Sequence, residues 1–178
     1  MNPIVRGWEA LGAFIDRGGP VLIAIFIATL ILWSLILERL WYFNFEHRKV
    51  VAREFEAWKK RAEYASWSAR QIRRMLVSRV SEEARKNTQI IQTLVGIAPL
   101  FGLLGTVTGM IEVFDVMAVS GNGNPRAMAS GVSRATIPTM AGLVVALSGL
   151  YFSNAFVRTA QSKVSKFDDE LRIHGEDA

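Results

Sequence analysis

Three stretches of this 178-residue chain, 18–37, 87–111 and 135–157, contain no Asp, Glu, Lys, Arg or His. At about 1.5 Å of rise per residue, roughly 20 apolar residues cross a ~30 Å hydrocarbon core, so all three are long enough to span a bilayer. A globule of this size has no room to bury three such helices on every side, which argues against a soluble core. Charged residues make up 21% of the chain, yet its mean hydropathy is +0.23, so charge and apolar surface are segregated along the sequence. The expected fold is an all-α membrane protein: three transmembrane helices with cytoplasmic helical extensions. The first stretch runs too long for a signal-peptide core and ends in Glu38-Arg39 rather than at small residues, so it is read as a retained helix.

Basic residues give the expected orientation. Residues 38–89 hold 13 Lys and Arg against 7 Asp and Glu, whereas 1–17 and 112–134 hold only Arg6, Arg17, Arg126 and Arg134. The positive-inside rule then places 38–89 in the cytoplasm. The reading along the chain is an outer (periplasmic) amphipathic segment at 1–17 and a first span at 18–37. A cytoplasmic helical segment occupies 38–89, with a second span at 90–111 whose helix extends as far as about 119. A periplasmic connection at 112–134, a third span at 135–157 and a cytoplasmic helical tail at 158–178 complete it. Trp8, Leu11 and Ile15 give the first segment a helical apolar face, with a frayed terminus as the alternative.

Two apolar stripes mark the polar parts. Phe55, Trp58, Ala62, Ala65, Ala69, Ile72 and Leu76 recur at steps of three and four, a heptad-like pattern. Ser66 and Ser68 sit where a single helix would be interrupted, so one long helix or a hairpin is open. Phe156, Ala160, Val164, Phe167 and Leu171 carry a second stripe, so the third span is expected to continue as an amphipathic helix. Both stripes need covering, within one chain or between copies. The basic residues beside the first stripe, Lys59 to Arg61 and Arg70 to Arg74, read as charges near anionic membrane lipid rather than a nucleic-acid surface.

The three spans differ in chemistry. The first is rich in Ile, Leu and Phe and reads as lipid-facing. The second carries Gly102, Gly105, Thr106 and Gly109, and the third Thr139, Gly142, Ala146, Gly149 and Ser153 on one stripe. Small residues let membrane helices approach closely, and hydroxyls line a shared interior or bond their own backbone. Pro99 and Pro138 each free a carbonyl near a helix end. No carboxylate lies in any of the three windows, so a proton relay at membrane depth needs a partner to supply the acid. With no Cys and only His47 and His174, no metal site or cofactor is expected. No activated nucleophile is evident either, and a non-enzymatic role follows.

The run Ala98-Pro99-Leu100-Phe101-Gly102-Leu103-Leu104-Gly105-Thr106-Val107-Thr108-Gly109-Met110 resembles the second-helix signature of the MotA/TolQ/ExbB proton-channel family. Pro138-Thr139-Met140-Ala141-Gly142-Leu143-Val144-Val145-Ala146 is similar to its third-helix counterpart. The segment from Asn124-Pro125-Arg126 to Pro138-Thr139 is similar to the short ExbB branch that accompanies the second type of TonB system. The resemblance implies a ring-shaped homo-pentamer in the inner membrane of a Gram-negative bacterium. Its ring would surround single-span ExbD-like helices whose aspartate takes the proton, and a TonB-like protein would carry the work to outer-membrane uptake of siderophores or vitamin B12. Thr106 and Thr139 match pore-facing threonines near that aspartate. One departure stands out: where many ExbB and TolQ chains have a glutamate, Gly131-Val132-Ser133-Arg134 ends in Arg134, which could pair with Glu112, with Asp115 or with an acid of the partner. A TolQ-like envelope energiser, a flagellar stator and a passive membrane scaffold are the alternatives, and H⁺ versus Na⁺ is open.

Overall fold

The computed structural model describes the backbone of residues 3–60, 64, 66–120 and 125–176, and the side chains of 12, 18–60, 64, 66–118 and 128–172. The chain is built of α1 (Pro3–Trp41), a π-helical segment (Tyr42–Glu46), α2 (His47–Lys59), α3 (Trp67–Arg85), α4 (Thr88–Ser120) and α5 (Pro125–Glu176). Among the described residues, three helical runs contain a stretch long and apolar enough to cross a membrane. The protein is therefore an all-α, multi-pass membrane protein. It divides into two compact units, Met1–Trp33 with Gln92–Leu150, and Ser34–Ile91 with Tyr151–Ala178.

In the first unit, α1 is broken at Gly19, whose φ of 68° and ψ of −171° lie outside helical space. Glycine alone adopts that conformation without strain, and Pro20 then restarts the helix with a pre-set φ. Residues 3–17 are helical, but the sidedness expected from Trp8, Leu11 and Ile15 lies outside the described side chains. Beyond the break the first span is one-sided. Val21, Leu22, Ile25 and Leu32 are buried, whereas Phe26, Ile27, Leu30 and Ile31 are exposed. A uniformly apolar sequence does not reveal this, because lipid and protein interior select the same residues. Helix α4 runs past Ile111 to Ser120, and α5 begins at Pro125.

The second unit answers how the two stripes are covered. Helix α2 stops at Lys59, and Ser66 caps α3 by accepting a hydrogen bond from the Ala69 amide at 3.2 Å, so the segment is a hairpin. Trp58, Ala69, Leu76 and Val80 form one buried cluster with Phe167 and Leu171 of α5. Ala62 and Ala65 lie outside the described residues. Helix α5 continues without interruption for 52 residues, and its stripe is the one that meets the hairpin. Burying a Leu- or Phe-sized side chain is worth about 1.5–3 kcal/mol, against at most about 1 kcal/mol for an exposed ion pair. The stripes rather than pairs such as Lys59–Glu56, both well exposed at 4.0 Å, hold this unit together.

Two polar ties brace the turns. Arg39 is 1% exposed, donates to the Glu83 carbonyl at 3.0 Å and lies 5.0 Å from the Tyr42 ring centroid. Asn87 takes a φ of 58° where α3 gives way to α4, and its side-chain amide donates to Glu38 at 2.7 Å. Asn tolerates that left-handed conformation better than most residues.

His47 gives the unit a pH dependence. The ring is buried, and burial first, then the Lys163 cation, hold its pKa below the ordinary 6.5. Between the ordinary and the lowered value the unfolded chain binds a proton that the folded chain does not. Stability is thus fully present above pH 6.5 and falls as pH drops through that range. The thermal midpoint of the detergent-solubilised protein is expected to fall from pH 7.5 to 5.5, and His47→Gln to flatten that fall. Parallel curves for the two proteins would assign the titration to another group.

Candidate functional site

The second and third spans pack antiparallel, backbone against backbone. A Cβ added at Gly102 would lie 2.9 Å from the Thr139 Cα, one at Gly109 2.7 Å from the Ala135 Cα, and one at Gly142 2.5 Å from the Ala98 carbonyl oxygen. A Cβ at Gly105 would collide with the buried Pro138 ring, and one at Gly131 with the Val113 side chain. At Gly149 it would meet Val95 at 2.5 Å and Leu32 of α1 at 3.0 Å. The partner numbers fall on α5 as they rise on α4. Ala146, on the same stripe, is partly buried. The small residues of the two spans therefore face one another within a single chain. Pro138, read in sequence as a bend, serves here as the knob that fills the notch at Gly105.

The two threonines sit differently within this seam. The Thr139 hydroxyl crosses it and donates to the Gly102 carbonyl at 2.9 Å. The Thr106 hydroxyl turns back and donates to its own helix, at the Leu103 carbonyl, at 2.7 Å. Thr108, Thr136 and Ser148 also bond backward within their helices. Thr106 and Thr139 are both partly buried. Each hydroxyl proton is thus committed to a carbonyl, and what each offers to a visitor is an oxygen lone pair. Such a group stabilises a protonated acid, which donates, and not a carboxylate, which has no proton to give. The Gly102 carbonyl as acceptor for Thr139 is the part of this site that the sequence did not single out. Its only trace there is the shared glycine spacing of the two motifs.

Arg134 has its partner within the chain. Its guanidinium donates to Glu112 Oε2 at 3.1 Å, with each side chain about half exposed, 50% and 49%. The reversed charge at this position is therefore balanced by Glu112, the first acidic residue after the second span. An ion pair this open contributes under about 1 kcal/mol. Arg134→Ala is expected to leave the thermal midpoint within about 2 °C of wild type, and a large fall would show that the pair is more desolvated than its exposure indicates.

Residues 44–169 match the family described as "MotA/TolQ/ExbB proton channel family". The chain is 35% identical over 86 residues to the "Putative biopolymer transport protein ExbB-like 1" of Synechocystis sp., covering 47% of this chain and 34% of the relative. It is 33% identical over 95 residues to the "Biopolymer transport protein ExbB" of Xanthomonas campestris, covering 53% and 38%. With the protein of that name from Aquifex aeolicus the identity is 32% over 99 residues, covering 56% and 65%. The matched region thus spans from about a third to about two thirds of these relatives' own lengths.

Proposed function

Because the chain belongs to the MotA/TolQ/ExbB proton channel family, we propose that it is the ring-forming subunit of an inner-membrane energiser. In this reading it uses proton-motive force to power TonB-dependent uptake across the outer membrane, with siderophores or vitamin B12 as cargo. The observation that carries the reading is the α4–α5 seam: two partly buried hydroxyls, Thr106 and Thr139, with their protons committed, in spans that contain no carboxylate. The protein then works without being an enzyme. Five copies surround the single-span helices of an ExbD-like partner, and that partner's aspartate carries the proton. Once protonated and neutral, its carboxyl donates to the Thr139 or Thr106 oxygen and is stabilised in the apolar interior. On release of the proton that bond is lost and the carboxylate must leave the site, so protonation and position are coupled. Each proton moving through 100 mV delivers about 2.3 kcal/mol, so several are needed per rearrangement of a packed interface. The N-terminus lies in the periplasm and the C-terminus in the cytoplasm, as the basic residues of 38–89 favour.

The test is uptake of a ferric siderophore by a Gram-negative strain deleted for this gene, with and without the gene restored. Restoration of uptake that a protonophore abolishes is the expected result. Uptake indifferent to the gene would remove the TonB assignment.

A further inference from the structure

Between α2 and the C-terminal part of α5 runs a groove of about 580 Å³. His47, Arg48, Lys163, Lys166 and Glu170 are its ionisable lining, and Val51, Phe55 and Phe167 give it an apolar wall. Three fixed cations thus face one carboxylate. Lys163 donates to the Phe43 carbonyl at 2.9 Å and lies 5.1 Å from the Phe43 ring centroid, a ring that stacks on Phe156. None of these contacts brings it a negative charge, and burial together with the nearby Arg48 lowers its pKa. Phe167 and His47, 1% and 5% exposed, form the floor of the lining. Arg48 and Lys166, by contrast, are exposed.

We propose that this groove holds the phosphate of an anionic glycerophospholipid, with Arg48 and Lys166 clamping it from outside and Lys163 donating from within. Charge complementarity selects an anion. The apolar wall and the place of the groove along the chain select a lipid. His47 lies ten residues past Leu37, and Lys163 six past Val157, each the last residue of its charge-free window. Long basic side chains at that distance reach back to the headgroup layer. A second groove of this unit, lined by Arg73, Arg74, Arg85 and Lys86 with Glu82 and Asp168, carries the same excess of cations, but there Arg73 is already paired with Asp168 at 3.2 Å. This assignment depends on the membrane fold and not on the proton-coupling reading.

The full chain, delipidated in detergent, is titrated with phosphatidylglycerol or phosphatidylcholine of the same acyl chains and followed by native mass spectrometry. Phosphatidylglycerol is expected to bind on the order of tenfold more tightly, since each cation near an anionic headgroup is worth roughly fivefold. The double variant R48Q/K166Q should lose most of that preference, and R74Q/R85Q should keep it. The two double variants remove equal charge from exposed positions, so a difference between them reports the site rather than net charge or folding. Equal binding of the two lipids, or a preference intact in R48Q/K166Q, overturns the proposal. Displacement of phosphatidylglycerol by inorganic phosphate would assign the groove to a soluble anion and overturn the lipid as its occupant.

Discussion

Gly142→Ala is expected to lower the thermal midpoint by several degrees, while Gly96→Ala, fifteen residues before Ile111 on α4, leaves it unchanged or slightly higher. The two changes add the same methyl group to apolar helices, so propensity favours both, by up to about 1 kcal/mol for glycine to alanine. The surroundings differ. A Cβ at Gly96 meets nothing within 4 Å, whereas one at Gly142 falls 2.5 Å from the Ala98 carbonyl oxygen and 3.3 Å from the Gly102 Cα. Both of those atoms are backbone and cannot rotate away, so α4 and α5 must separate. Overpacking of this kind costs about 1–3 kcal/mol, at times more. Here the separation also lengthens the bond from Thr139 to the Gly102 carbonyl. The thermal midpoint in detergent and the amount of protein recovered from membranes both read the effect. Equal midpoints for the two variants would mean that the seam is looser than its geometry.

Thr139→Val is expected to abolish energy-dependent uptake while lowering stability only modestly. Valine keeps the shape of threonine and removes the oxygen. The lost cross-helix bond is worth on the order of 1 kcal/mol in a membrane, a few degrees in the midpoint. Uptake should fall far more than that, because the oxygen is also the acceptor for the partner's protonated acid. Thr139→Ser keeps the oxygen and should keep both properties. Thr106→Val separates the two contributions from the other side. Its hydroxyl bonds only to Leu103 of its own helix, so stability should hold while uptake drops. If uptake in Thr139→Val instead falls only in proportion to the folded protein recovered, the hydroxyl is a packing element and the proton-path role is lost. The wild-type complementation is scored separately, so failure of this residue's role leaves the energiser reading testable in its own right.

Much of the architecture is legible in the sequence, because it depends on features that are local along the chain. A long apolar window without charge reads as a span wherever it occurs. A stripe at steps of three and four is one face of a helix, and Phe156, Ala160, Phe167 and Leu171 are accordingly all buried. Ser66 and Ser68 marked the place where the polar segment turns. The small residues of the second and third spans announced close approach of helices, and the family motif gave Thr106 and Thr139 their expected role.

Pairing was another matter, because it joins positions far apart in sequence whose alternatives look alike one helix at a time. The two stripes suited contact within the chain or between copies equally well, and only the packed hairpin against α5 decided for the former. Glycines at 102, 105 and 109 suited a lumen as well as a seam. The antiparallel register of α4 and α5 spends them on a seam, since backbones that approach this closely leave no room for a Cβ. The same register gives the Thr139 proton to Gly102, 37 residues away, and sets Arg134 against Glu112. A hydroxyl's bonding state depends on which carbonyl comes within 3 Å, and that is a property of the tertiary structure alone.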